Sequence, residues 1–526
     1  MLATPPAQLK EQVNKHSRFY FLTLGFVFLV VIRLITAQTM GLMPQDAYYY
    51  YYSEHLALSY FDHPPMIAYL LKAFTVLFGK SVATIKLANY TATILTLSAF
   101  YVLSRHFLSV RRANITFLLL GSTIMVTNLS VVSLPDVPLV LFWTLSLLLL
   151  YKALFEAKGY TYWASAGITI GLAFNSKYTA VFLLFGLTLF LLASRQYRKY
   201  LFSGYFLLTL GCFLLTISPI VIWNLQNDWI SFKFQSSNRF STIAALELSP
   251  RFFFGNIGLQ LTLLMPVLFA AMFTVFWKLS KRAFVRKSLP ENKKLFLLCF
   301  SMPIVLFFFA LSSIYLVKSN WLMPAYVATA LLVGIYLPER QLKLHMGISL
   351  VLHVLLLVQV VFYPVAIRSD DTWWGWDSLA AEVKAMKGSY PDHFILADDG
   401  YKTSAVLNFY LEEPVYAGNV LGKNGLQFSL TNANLEHLKN KNALFLDAKS
   451  SFTDTLKSNA VKDELRVFFD QVTELPPIVL RDEGGNPLRK FLLYDCRNYR
   501  YGTLVRQRET APTTISDAAS ALPEGR

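Results

Sequence analysis

QDAYYYYYSEHLALSYFDHPPM, residues 45–66, sets five consecutive tyrosines behind an acid and closes on a second acid, a histidine and two prolines. Asp46, Glu54 and Asp62 punctuate the stretch, so it cannot cross a membrane. It must surface between the apolar runs on either side of it, and those runs carry the fold. The whole chain has 526 residues, 55% apolar and 15% aromatic, with a mean hydropathy of +0.43. Its charged fraction of 15% lies far below the ~25% of a soluble globular protein. The composition is that of a polytopic α-helical membrane protein. The formal charge of +16 comes from lysines and arginines in short clusters between apolar runs. Cytoplasmic membrane loops look like this, and a nucleic-acid partner is not expected.

A spanning helix needs about 20 mostly apolar residues, because the hydrocarbon core is roughly 30 Å thick. Eleven stretches qualify: 19–38, 85–104, 114–132, 136–151, 160–175, 178–194, 201–223, 252–277, 295–314, 320–337 and 346–365. The run PPMIAYLLKAFTVLFG (64–79) is short, opens on two prolines and carries Lys72, so it reads as an interfacial helix. The first run is too long for a signal peptide and is read as an uncleaved span. Basic clusters at Lys10–Arg18, Arg105–Arg112, Lys152–Lys158, Arg195–Lys199, Lys278–Lys294 and Arg340–Lys343 occupy alternate loops. The positive-inside rule then puts residues 1–18 in the cytoplasm, a membrane domain at 19–365 with its first outer loop at 39–84, and everything after 365 outside.

Residues 366–507 change character. Short apolar runs HFILA (393–397), NALFLDA (442–448) and KFLLYDC (490–496) alternate with helix-like segments, which predicts a small α/β domain outside the membrane. The end, 508–526, is rich in Thr, Ala, Ser and Pro and reads as disordered. Cys212, Cys299 and Cys496 form neither a disulfide framework nor a metal-ligand spacing.

The topology gathers the unusual polar segments on the outer face: the opening stretch, SLPD (133–136), NSKYT (175–179), WNLQNDWISFKFQ (223–235) and VKSNW (317–321). Singly, Asp136 reads as part of a helix start and Lys177 as a snorkelling lysine. Together, five such elements on one face of an apolar bundle read as a site, because ionisable groups near hydrocarbon are costly and kept for function. The tyrosines suit an aromatic belt at the interface. A belt explains the rings but not the acids. Partial desolvation beside the tyrosine run would raise the proton affinity of Asp46 and suit it to general-base work. His63, held rigidly before Pro64 and Pro65, is placed to donate to a phosphate or shuttle a proton. A transporter would show intramembrane charges or broken spans. Arg33 is the one charge read well inside a span, and it lies near enough to the outer end to snorkel.

The first-loop stretch resembles the signature of bacterial membrane glycosyltransferases of the GT-C fold, the superfamily of the dolichyl-phosphate-mannose protein mannosyltransferases and the lipid A aminoarabinose transferase. The likeness recurs in SLPDVPLVLFW (133–143), GLAFNSKYTAVFLL (171–184), SPIVIWNLQNDWISFKFQ (218–235), NWLMPAY (320–326) and ADDGYKTSAVLNFYL (397–411). Many relatives carry an Asp-Glu pair where this chain has Gln45-Asp46, which leaves a single acid there. Others have lysine at the position of His63.

The resemblance implies a GT-C fold of about 11 transmembrane helices and transfer of one sugar, with inversion, from a polyprenyl-phosphate donor. The acceptor is a lipid or glycan in the membrane, lipid A or lipopolysaccharide core before a protein hydroxyl. It implies a bacterial inner-membrane location with a periplasmic site. Asp46 is then the expected catalytic base, and Lys177, His63, Lys318 and Arg239 the expected donor-phosphate ligands. Asp62, Asp136, Tyr49, Tyr51, Asn224 and Trp229 are expected in support. No cofactor is certain, and a divalent cation is admissible.

Overall fold

The computed structural model describes residues 6–156, 159–238, 248–367, 369–449, 455–482, 484–503 and 505. Arg239 and the segment 508–526 lie outside the described residues. The chain is a multi-pass helical membrane protein carrying a C-terminal sheet domain. Helices long and apolar enough to cross a membrane number seven among the described residues: Leu22–Thr39, Val82–Phe107, Asp136–Glu156, Gly204–Gln226, Pro250–Val285, Asn292–Leu311 and Glu339–Phe362. The bent pair Val110–Gly121 and Ile124–Val131, at 61° to one another, makes an eighth if taken as one span.

Seven of the eleven expected runs fall on these seven helices, and the other four fall on shorter or bent elements. The run 114–132 falls on the bent pair, and 160–175, 178–194 and 320–337 fall on the short segments Tyr160–Phe174, Tyr178–Ala193 and Met323–Tyr336. Met323–Tyr336 is buried over nearly its whole length. A helix enclosed by others need not match the bilayer thickness, and its apolar sequence looks the same as that of a span.

The first helices are α1 (Pro6–Thr39), α2 (Pro44–Glu54), α3 (Met66–Phe78), α4 (Val82–Phe107), α5 (Val110–Gly121), α6 (Ile124–Val131) and α7 (Asp136–Tyr151). Arg33 of α1 does not snorkel. It is buried, with Nε donating to Thr127 Oγ1 at 2.7 Å and Nη2 to the Thr123 carbonyl at 3.1 Å. Ser349 Oγ donates to the Ser122 carbonyl at 2.6 Å. Ser349 thereby satisfies a carbonyl that the α5–α6 break releases from the helical ladder, as an apolar environment requires, and Arg33 adds a donor to the Thr123 carbonyl that Thr127 N also bonds.

The C-terminal domain has a five-stranded sheet in the order β2-β1-β3-β5-β4. Its strands are β1 (Phe394–Ala397), β2 (Val415–Tyr416), β3 (Ala443–Lys449), β4 (Phe469–Arg481) and β5 (Pro487–Tyr499). β2, β1 and β3 run parallel, and β5 and β4 add as an antiparallel hairpin. HFILA, NALFLDA and KFLLYDC are β1, β3 and most of β5, as their buried apolar runs predict. β4 escapes the same reading because Pro476 and Pro477 interrupt it, and they fall where the pairing register shifts between Leu475 and Ile478.

The tyrosine helix α2 is where the two parts meet. Tyr48, Tyr49, Tyr50, Tyr51 and Tyr52 are all buried, in a core that also holds Trp376, Ile395, Val406 and Phe409. Tyr48 packs on Tyr401 with ring centroids 4.2 Å apart, Tyr50 on Phe409 at 5.0 Å and Tyr51 on Phe428 at 4.2 Å. The rings face protein, so the aromatic-belt reading is corrected. Burying aromatic rings, at about 150–250 Å² each, is the dominant apolar contribution available to such a junction. α3 leaves the junction with Ile67 and Leu71 buried and Val76, Leu77 and Phe78 exposed at its far end.

Candidate active site

The acids of the outer face have three different environments. Asp46, in the first turn of α2, is fully buried and saturated. Its Oδ2 accepts from Met43 N at 3.0 Å and from Lys86 Nζ at 2.5 Å, and its Oδ1 accepts from Ser133 N at 2.7 Å. Lys86, itself buried near the start of α4, also donates to the Val131 carbonyl at 2.6 Å. The expectation that Asp46 faces an acceptor hydroxyl does not fit this geometry. Asp46 staples the start of α2 to α4 and to the segment after α6, with donors on both oxygens. Gln45 beside it donates to Asp371 Oδ1 at 2.8 Å and so reaches the C-terminal domain.

Asp136 follows Pro135 and opens α7, where the helix dipole favours a carboxylate. Both of its oxygens lie 2.9 Å from Lys177 Nζ, and Oδ2 also accepts from Asn320 Nδ2 at 2.5 Å. Lys177 is presented by the non-helical step between Tyr160–Phe174 and the 3₁₀ turn at Tyr178, where its backbone is extended. SLPD, NSKYT and VKSNW are thereby joined in one buried cluster. Met66 N donates to the Asn175 carbonyl at 3.0 Å, which ties the DHPP end of the first loop to the same place.

Asp62 is buried as well, and tyrosine hydroxyls hold it. Its Oδ1 accepts from Tyr48 OH at 3.2 Å and from Tyr52 OH, and its Oδ2 lies 3.9 Å from His63 Nε2. Burial pushes its carboxyl above the ordinary value, against the Tyr52 and Tyr48 hydrogen bonds and Lys318, which pull it down. Tyr49 lies among these groups: its ring is 5.9 Å from that of His63, and its hydroxyl is held above the ordinary value first by burial and then by Asp62, with Asp136 contributing.

The segment WNLQNDWISFKFQ closes the cluster from the other side. Asp228 and Trp229 adopt left-handed backbone conformations, with φ of 52° and 60°. The Asn224 carbonyl accepts from Trp229 N at 2.7 Å and its Oδ1 from Ser231 N at 3.2 Å. This folds the turn back so that Ser231 Oγ donates to the Tyr60 carbonyl at 2.7 Å and Gln235 Nε2 to the Asp62 carbonyl at 2.5 Å. Asn224 acts through this turn, and the half-exposed Trp229 packs on Phe232. Tyr51 points away to Thr431 Oγ1, 2.6 Å distant, and belongs to the domain junction.

The structure thus brings together Asp62, Asp136, Tyr49, His63, Lys177 and Lys318, and sets Asp46, Tyr51, Asn224 and Trp229 around them. Sequence reading missed Lys86, Asn320, Gln235 and Gln427. A lysine in ATIKLANY, at the mouth of an apolar run, was a usable signal for Lys86. Gln427 offers none. For a divalent cation, the described residues contain no group of three or more His, Cys, Asp or Glu positioned to hold a metal.

Residues 62–223 match the family model described as dolichyl-phosphate-mannose-protein mannosyltransferase. The chain is 25% identical over 322 residues to the lipid A galacturonosyltransferase RgtD of Rhizobium johnstonii, a match over 59% of this chain and 63% of that protein. It is 28% identical over 296 residues to an uncharacterized protein of Aquifex aeolicus, 55% of this chain and 56% of that one. The chain therefore spans somewhat over half the length of these two relatives. ArnT from Cupriavidus metallidurans superposes with a TM-score of 0.61 over 91% of this chain and 98% of that one, at 14% identity, in its apo state. Its structure bound to undecaprenyl phosphate gives the same TM-score at 15% identity, over 90% of this chain and 98% of that one. The chain thus has the helical fold of these membrane glycosyltransferase structures, the GT-C fold, and its residues 62–223 match the mannosyltransferase family model.

Proposed function

We propose that the chain transfers a single sugar from a polyprenyl-phosphate donor to an extracytoplasmic acceptor, lipid A or lipopolysaccharide core, with Asp62 as the general base. The observation that carries the reading is the buried outer-face cluster, in which the Asp62 carboxylate, of raised proton affinity, lies by His63 and under the influence of Lys318, while Tyr49 feels both Asp62 and Asp136, the partner of Lys177. In the transfer, the acceptor hydroxyl loses its proton to Asp62 as its oxygen bonds the anomeric carbon. The bond from that carbon to the phosphate oxygen breaks on the opposite face. Negative charge develops on the departing lipid phosphate, and cations fixed in a poorly solvated site stabilise it without reorganising. Lys177 and Lys318 supply that charge, and Asp136 and Asn320 hold Lys177 in place. RgtD supports the lipid A acceptor by its name, and the undecaprenyl phosphate bound to ArnT supports the donor class. A protein hydroxyl is the second reading, favoured by the description of the family model.

In this reading the N-terminus is cytoplasmic, as the basic loops support, and this cluster lies with the C-terminal domain in the periplasm, the bacterial inner membrane following from the likeness to the bacterial RgtD and ArnT. Reporter fusions after Lys287 and after Ser378 should then report opposite sides. Mass spectrometry of envelope lipids and glycoproteins, with and without the protein, should show one sugar's mass disappearing from a lipid A or core species. Loss from a glycoprotein instead would move the acceptor to the second reading, and no change in either fraction refutes the transfer. In the reconstituted reaction, Lys177→Ala should weaken donor use by about 1.5–3 kcal/mol, the range of a lost charge-assisted contact.

A further inference from the structure

Of the polar contacts between the C-terminal domain and the first loop, those of Gln427 bear on Asp62. Gln427 is buried at the start of the short helix Gln427–Thr431. Its side-chain Oε1 accepts from Phe61 N at 2.9 Å, one residue before Asp62. Its backbone N–H donates to Tyr48 OH at 3.3 Å, and Tyr48 OH donates to Asp62 Oδ1. One residue of the distal domain therefore holds both the backbone that carries Asp62 and a hydroxyl that bonds its carboxylate. Since the Tyr48 oxygen accepts from Gln427, its proton is directed at Asp62, and chained hydrogen bonds of this kind reinforce one another.

The segment before Gln427 is built to project it. Leu426 has φ 51° and ψ −125°, a conformation that non-glycine residues hold only where their surroundings over-determine it. Those surroundings are present: Gly425 N donates to Ser429 Oγ at 2.9 Å, Leu426 N to Asn424 Oδ1 at 2.9 Å, and Asn419 Nδ2 to the Phe428 carbonyl at 3.3 Å. Strained backbone spent on presenting one glutamine is the mark of a functional position.

We propose that Gln427 is a positioning residue for the Asp62 carboxylate, so that the C-terminal domain completes the active site. The proposal rests on Asp62 being the base. Sub-ångström placement of a base matters, since a misplacement of about 1 Å can cost on the order of 10²-fold in rate.

The test uses the full chain in proteoliposomes with a polyprenyl-phosphate sugar, comparing wild type with Gln427→Met, Gln427→Glu and Asp62→Asn. The groups that face Asp62 are Tyr48, Tyr49 and Tyr52 of α2, His63 beside it, Tyr178, Tyr401 and Lys318. All are retained in both Gln427 variants. Gln427→Met keeps the length and removes the acceptor, and should lower kcat at least about tenfold while donor KM stays within about twofold. Gln427→Glu restores the acceptor for Phe61 N and adds negative charge near Asp62. It should recover most of kcat at high pH and move the acid limb of the pH profile upward. A purely structural role would move kcat and KM together and leave the limb in place, and that outcome overturns the proposal. Wild-type kcat in Gln427→Met overturns it alone if Asp62→Asn is inactive. Normal turnover by Asp62→Asn overturns it together with the base assignment.

Discussion

Asp62→Asn should fold, bind donor and transfer sugar about 10² to 10⁴ times more slowly than wild type, the range a general base supplies. The amide keeps an oxygen for the Tyr48 and Tyr52 hydroxyls, so the packing around Oδ1 survives while basicity is lost. The pH dependence has a definite sign. Burial holds the folded Asp62 carboxyl above its ordinary value of 3.8, and only the ionised form can take a proton. Activity is therefore present above the folded pKa and lost below it, with the acid limb at higher pH than an ordinary aspartate would give. Stability runs the other way. A carboxyl whose folded pKa is raised contributes stability that is fully present below the unfolded pKa and is lost as pH rises through the folded one. The site works in the range where its own carboxylate is costly to hold, and Asp62→Asn should lose that pH dependence of stability as well as the rate. Single-turnover transfer and thermal unfolding, each followed across pH, read both. Near-normal turnover in a folded Asp62→Asn protein would remove Asp62 as the base and pass the role to Asp136.

What the sequence made legible was set by the period of each signal. Basic residues in alternate loops gathered SLPD, NSKYT, VKSNW and the first loop on one side, and contacts between them are present: Lys177 with Asp136, Asn320 with Asp136, Asn175 with Met66. The α/β character of the tail was legible because β1, β3 and β5 are continuous apolar runs. The choice between Asp46 and Asp62 was not. Both acids lie in the same first-loop stretch, and the difference between them is a lysine 40 residues on from Asp46, which closes over Asp46. The tyrosines carried a readable signal of their own. At 3.6 residues per turn, five consecutive positions sweep the whole circumference of a helix, and a helix that is aromatic all round is buried rather than laid along an interface. Nothing local announced which surface would bury it. Phe409, Phe428 and Tyr401 belong to a domain more than 300 residues away in the chain, and only the assembled fold brings them onto α2. The same limit applies to Gln427, a glutamine in a polar stretch with no periodicity.

Asp46→Asn and Lys86→Met should each destabilise the membrane domain by about 3–5 kcal/mol, because each leaves one member of a buried ion pair uncompensated. In Lys86→Met the carboxylate retains Met43 N and Ser133 N but loses its cation. In Asp46→Asn the ammonium is left with the Val131 carbonyl, and one amide oxygen must serve two backbone donors that had a carboxylate oxygen each. The double variant removes both charges and should recover much of the loss, since replacing a buried pair outright is far less costly than breaking it. Thermal unfolding of the four proteins in one detergent forms a double-mutant cycle, and a large coupling energy identifies the pair as a staple. The staple accounts for a functional effect without chemistry: Asp46 anchors the first turn of α2, which carries Tyr48 and Tyr52 to Asp62, so loosening it displaces the donors that hold the base. Transfer should therefore fall in Asp46→Asn and Lys86→Met alike, in proportion to the stability lost. A base behaves differently, since its loss leaves folding intact and is indifferent to Lys86. An Asp46→Asn protein as stable as wild type yet inactive would return Asp46 to the chemistry.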